Sequence, residues 1–383
     1  MATNAGKGLL AVFTVFFVSL DFTGCGSKGS TGCVTGCSTV TEVMYGLPSD
    51  VQLNAAFYVP MNAQTGAFLN QGTDLPLPAM PVIGMVAVND QFLYVATGKD
   101  PDPAGSIVGF SLNPTTGAPT LIQGSPFVVG LPSNARIRGM ATPPNSHFLY
   151  VSDSGGIDGF TVDSTTGVLT ALLGSPFASG TNLQLVVDPS GRFLYASDND
   201  DPGGVLAFSI STDGALTPLQ GSPFSIPGRT GTGSQPMGIV ANGNFVFVAL
   251  SGTNEVAAFS IDAATGALSP AAGSPFATGS TPVFLNFANK FLYVDSSSTV
   301  ANCSISGYSV NSATGVLTPV PGSPFNFCAD TIATDANGRY LYITQDGFVN
   351  PKLIDPNSGA LTDAGSYQLG FLEPYWITVV QFH

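Results

Sequence analysis

Groups able to do acid–base or ligand chemistry are scarce in this chain: 9% of its residues are charged, against roughly 25% in typical soluble domains. Of its two histidines, His147 directly precedes Phe148 and His383 is the last residue. Neither belongs to a Ser/His/Asp pattern, and His147 reads as a solvated turn residue. Five charges remain as candidates: Arg136, Arg138, Arg229, Asp330 and Glu373. Arginines present forked donors that match a carboxylate or phosphate, and Asp330 or Glu373 could act as a base toward an attacking water. The competing reading is that these charges pair with one another and pin loops. Asp198-Asn199-Asp200-Asp201 and Lys99-Asp100-Pro101-Asp102 are acidic clusters, but neither has the ligand positions of an EF-hand. They read as solvated turns, so no metal and no cofactor is expected.

The elements that must hold the five charges recur along the chain. A Thr-Gly-type turn followed by an apolar pair appears as QTGAF, TTGAP, TTGVL, TDGAL, ATGAL, ATGVL and NSGAL. Its glycines are Gly66, Gly117, Gly167, Gly214, Gly266, Gly315 and Gly359, spaced by 44 to 52 residues. A supersecondary unit repeated at that period predicts seven blades of a β-propeller, an all-β fold of four-stranded antiparallel sheets. Each unit holds an inner apolar strand, a polar turn and a second strand such as FLYV at 92–95, 148–151 and 291–294. That second strand is apolar on both faces, as a strand sandwiched between two neighbouring blades must be. A third strand and the Thr-Gly hairpin follow. Gly-Ser-Pro-Phe then recurs at 124–127, 174–177, 221–224, 273–276 and 322–325. Proline cannot donate to a ladder, so this segment belongs on an exposed outer strand.

The two ends of the repeat array complete each other. Glu373 to Phe382 (EPYWITVVQF) has the character of an inner strand with no second strand after it. The N-terminal unit has its hairpin at Gly66 but no clear inner strand before it. The C-terminal segment is therefore expected to complete the first blade and close the ring. In this reading the five candidate charges sit in or beside the connections that lead into inner strands, around the mouth of the axial channel.

Upstream of the blades, Lys7 precedes the apolar run Leu9 to Leu20, which suits the core of an export signal and is too short to span a bilayer. Asp21-Phe22-Thr23-Gly24-Cys25 follows, a pattern similar to a bacterial lipobox with Phe22 where Leu is usual. The expected organisation is a signal at 1–24, lipidation at Cys25, a Gly/Ser/Thr-rich tether at 25–40 and the propeller at 41–383; the alternative is a plain cleaved signal. Export permits oxidation, and Cys303 and Cys328 lie on either side of the Gly315 hairpin, nearly equidistant from it, which predicts a bridge. Cys33 and Cys37 offer no such geometric argument. A net charge of −14 with ten Lys and Arg in all argues against nucleic acid. The expected partner is a small molecule or an envelope protein, the membrane is reached only through the lipid, and the protein is expected to be a monomer.

The FLYV strand, the Thr-Gly-Ala/Val-Leu turn and the GSPF strand resemble the lactonase-family seven-bladed propellers, which include 6-phosphogluconolactonase-like and YVTN-repeat proteins. Kelch propellers share the period, but their paired glycines and Trp are absent here. The resemblance covers the chain after the tether, and its motifs are those that build blades. Two functions follow as expectations: a ligand- or protein-binding module at the cell envelope, and a lactonase-like hydrolase with its site at the channel mouth. The histidine of the family's cyclases has no counterpart carried by a motif here.

Overall fold

Seven antiparallel sheets stand around a common axis, and their innermost strands neighbour one another in a closed cycle. The structure is a computed structural model that describes residues 40–48, 55–62, 65–69, 72–77, 82–97, 105–127, 137–153, 155–178, 184–199, 203–228, 232–296, 303–368 and 374–382. The inner strands of blades 2 to 7 are Val82–Val88, Gly139–Ala141, Gln184–Val187, Pro236–Ala241, Pro282–Ala288 and Thr331–Thr334. Blade 1 takes its inner strand from Pro374–Gln381, which pairs antiparallel with Val40–Pro48; Ala55–Asn62 and Thr73–Pro76 complete that sheet. The ring is closed as the end segments predict, by a C-terminal strand hydrogen-bonded to the N-terminal one.

The core lies between the blades. Phe92, Tyr94, Ile107 and Ile122 of blade 2 form one cluster with Leu149, Val151, Phe160 and Leu169 of blade 3. At the closing seam, Met44, Phe57, Val59 and Met61 of blade 1 pack with Ala333, Tyr342 and Val349 of blade 7. This two-sided burial is why the second strand is apolar on both faces.

The Thr-Gly turn locks neighbouring blades together. Gly266 has φ +74 and is buried, and a Cβ there would stand 2.4 Å from the Phe193 ring of the preceding blade. Only glycine meets both demands, a left-handed backbone and a close approach. Its carbonyl accepts a hydrogen bond from the Tyr195 hydroxyl at 2.9 Å. The same bond joins Tyr45 to Gly117, Tyr94 to Gly167, Tyr150 to Gly214 and Tyr293 to Gly359 at 2.5–2.7 Å, and Tyr342 to Gly66 at 3.5 Å. Phe247 holds that place between blades 5 and 6, where the hydroxyl is missing. The turn itself is held from within: Asp262 Oδ1 accepts from the Ala264 and Thr265 amides, and Asp163 and Asn311 repeat the arrangement.

The outer strand is shorter than the Gly-Ser-Pro-Phe pattern suggests. Regular pairing covers three residues, such as Leu216–Pro218, after which the chain bulges away from the third strand. The motif serine fills the gap: Ser222 Oγ accepts from the Ala207 amide at 2.9 Å, and Ser125, Ser175, Ser274 and Ser323 do the same in their blades. The motif phenylalanine then returns to the ladder, with Phe224 exchanging both backbone bonds with Val205. The Ser–Pro peptide of all five Gly-Ser-Pro-Phe motifs is cis. The proline sits on the outer edge, where its missing N–H leaves no ladder position unfilled.

Candidate functional site

A cavity of about 250 Å³ lies on the axis, lined by inner-strand residues from all seven blades. It occupies the end at which the inner strands begin, because Arg138, Gln184 and Thr331 stand at or just before strand starts. Apolar side chains such as Met85, Ile239 and Leu285 make up much of its wall, while Arg138, Gln184, Asn286, Thr331 and Thr378 are polar.

Arg138 is fixed through its backbone. Its amide donates to Ser152 O at 2.8 Å and its carbonyl accepts from Gln184 Nε2 at 2.6 Å. Among the described residues nothing pairs with its half-buried guanidinium. That bond spends the donor end of Gln184 on the wall, which leaves its carbonyl oxygen as an acceptor for the cavity. Asn286 is held the other way round: its Oδ1 accepts from Thr334 Oγ1 at 2.8 Å, which frees its NH₂ to donate. The lining residues thus bring together one cationic side chain, one amide with a free donor, one amide with a free acceptor and two threonines. This set suits an oxygen-rich ligand that carries a negative charge.

The five candidate charges divide unevenly. Arg138 lines the cavity. Asp330 directly precedes the lining residue Thr331, and its amide donates to Thr344 O at 2.8 Å. Arg136, Arg229 and Glu373 lie outside the described residues, as do Cys25, Cys33, Cys37 and His383. His147 is exposed at the tip of the turn before Phe148, 3.5 Å from Asn89 of the adjacent blade. Cys303 and Cys328 are joined as a disulfide, with Cα atoms 4.9 Å apart. That link ties the start of blade 6's third strand to the connection leading to Asp330 and Thr331.

Gln184, Asn286, Thr331 and Thr378 were absent from the sequence candidates. The signal that could have found them is a polar residue within or at the start of an otherwise apolar inner strand, as in QLVV, FLNF and WITV. Two further carboxylates, Asp153 and Asp158 in blade 3, are buried away from this lining. Desolvation raises both above the ordinary carboxylate range, and their mutual repulsion adds to it for Asp158. Backbone amides of Gly155 and Gly156 favour the charged form of Asp153, as the Ser175 hydroxyl does for Asp158.

Residues 139–249, which hold the inner strands of blades 3 to 5 and both their seams, match the family model described as "Lactonase, 7-bladed beta-propeller". The chain is a seven-bladed β-propeller, and over that stretch it is similar to the lactonase family. Solved structures of similar fold include a 6-phosphogluconolactonase candidate from Bacteroides fragilis, at TM-score 0.70 and 17% identity over 90% of this chain and 99% of that one. A second such candidate, from Bacteroides uniformis, has TM-score 0.68 and 18% identity over 89% and 100% of the two chains. The periplasmic gluconolactonase of Pseudomonas aeruginosa has TM-score 0.66 and 17% identity over 90% and 99%. At these identities the likeness is one of fold. No curated protein sequence matches the chain. The features this chain shares with the lactonase propellers build its blades, and a fold of itself carries no reaction.

Proposed function

We propose that this lactonase-like propeller hydrolyses an anionic, hydroxylated lactone bound in the axial cavity. The observation that carries the reading is that Arg138, whose guanidinium has no protein partner among the described residues, lines a cavity shared with Gln184, Asn286, Thr331 and Thr378. A forked cation in a partly dry cleft would hold the carboxylate or phosphate of such a ligand. The Asn286 NH₂ group would stabilise charge as it develops on the ring carbonyl oxygen. Water adds to that carbonyl, the ring C–O bond breaks with the water's proton passing to the ring oxygen, and the resulting hydroxy acid ionises to a hydroxy carboxylate and one proton. Asp330, beside Thr331, and Glu373 are the carboxylates offered as the base.

The test is a panel of sugar lactones assayed by acid release with the full chain. Arg138→Ala should reduce kcat/KM for anionic lactones by ten-fold or more while leaving neutral ones within about three-fold. Equal loss for both classes, or no acid release above the spontaneous rate from any lactone, would reject the assignment. A second reading, a ligand-binding module without turnover, is supported by the absence of any carboxylate or imidazole among the described lining residues. Saturable binding of a lactone without acid release would favour it. For either role we propose an envelope location with a lipid on Cys25. Radiolabelled fatty acid should enter the wild-type protein, and a Cys25→Ala variant that still took up label would remove the anchor.

A further inference from the structure

Six blades share a turn between inner and second strands, and the residue just before the second strand is Gln91, His147, Arg192, Asn244, Lys290 or Arg339. Five of these are exposed and Arg339 is half-buried. Blade 1 has no such turn, because its inner strand comes from the other end of the chain, and Glu42 holds the equivalent place with no exposed surface. Glu42 stands opposite Gln381 of the inner strand and Met61 of the third strand. Across the seam, Asn337 Nδ2 of blade 7 donates to its Oε1 at 3.3 Å, while its Oε2 is buried with no hydrogen-bond partner.

Among the described residues, the charged groups facing Glu42 come from blade 7. Asp335 carries the same charge and caps its own turn by accepting from the Arg339 and Tyr340 amides at 2.7 Å. Arg339 Nε lies 3.5 Å from Asp335 Oδ2, so the cation that faces Glu42 among the described residues is already shared with a second carboxylate. The Tyr342 hydroxyl is committed to Gly66. An ionised Glu42 therefore has a single neutral donor and a like-charged neighbour at a position with no exposed surface of its own, which is costly.

We propose that Glu42 is a proton-operated latch on the ring-closing seam, holding blade 1 to blade 7 when protonated and loosening the C-terminal inner strand when ionised. Burial and then Asp335 raise its carboxyl to about 7, against the opposing effects of Arg339 and Asn337. The folded-state value lies above the ordinary 4.5, so the seam's extra stability is present in full below that ordinary value. It is lost as pH rises through 7. The loosened strand carries Ile377 and Thr378, so the latch would act on the axial cavity as well as on the fold.

Native-state hydrogen exchange from pH 5 to 8, corrected for intrinsic rates, tests the latch. Protection of the amides in Pro374–Gln381 should fall by up to about 70-fold across that range, while the blade 5 strand Pro236–Ala241 stays level. Glu42→Gln, which keeps an acceptor for Asn337 and carries no charge, should remove the dependence. A persisting slope in Glu42→Gln, or an equal slope in blade 5 of the wild type, would overturn the proposal. Should Glu42→Gln fail to fold, Asn337→Ala serves instead. It removes a bond that favours the charged form, so the midpoint of the protection loss must move to higher pH; an unmoved midpoint is fatal.

Discussion

Removing one hydroxyl from one seam is a sharp test of how this ring is held together. In Tyr195→Phe the ring stays packed and only the 2.9 Å bond to Gly266 O is lost. Tyr195 and Gly266 are both buried, so water does not replace the donor. The net value of such a bond is about 0.5–1.5 kcal/mol, and a buried carbonyl left without a partner costs about 1–3 kcal/mol. A loss of about 1–2 kcal/mol is therefore expected, read as a lower urea midpoint at unchanged m-value. The protein carries its own reverse experiment. Phe247 occupies the same register position and packs edge-on against Phe287 at 5.4 Å, with Gly315 where Gly266 would be. Phe247→Tyr should add about 0.5–1.5 kcal/mol by supplying the seventh hydroxyl. If Tyr195→Phe lies within about 0.3 kcal/mol of wild type, the seams are held by apolar packing alone and the hydroxyl argument is wrong.

Three further outcomes are expected. Gly266→Ala forces a left-handed alanine and a Cβ 2.4 Å from Phe193, and should cost about 3 kcal/mol or more in the same denaturation assay. Asp158→Asn should stabilise the protein at pH 7 and lose that advantage toward pH 4. The reason is that the wild-type carboxyl is raised by burial, so its cost appears only once pH exceeds the ordinary carboxylate value; melting temperatures at the two pH values decide it. Non-reducing peptide mass spectrometry should recover Cys303 and Cys328 in one linked species, and free thiols at both positions would refute the bridge.

The parts of the fold legible in the sequence were those imposed on every blade by the same physical demand. Gly66 through Gly359 repeat because each turn approaches an aromatic or branched side chain of the neighbouring blade in a left-handed backbone conformation. The second strand repeats because both of its faces are buried. Pro374–Gln381 was recognisable as a displaced inner strand because a blade lacking one had to find it elsewhere. The outer strand is legible only in part. The Gly-Ser-Pro-Phe pattern marks the edge correctly, but the serine's role as a substitute acceptor depends on a bulge that carries no sequence signature of its own.

Functional residues escaped for the converse reason. A propeller site is assembled from single positions on different blades, so its members have no period and no common residue type. Gln184, Asn286 and Thr378 each occur once, on three separate inner strands, and only closure of the ring brings them to one cavity. Arg138 was found because a charge in so neutral a chain stands out. Glu42 was missed although it is also charged, because its meaning depends on comparison across blades: six equivalents sit at turn tips and only this one is fully buried. In such a ring, what repeats serves the blade. Function is to be sought where one blade departs from the other six, which singles out the cavity mouth of blade 3 and the seam that closes the ring.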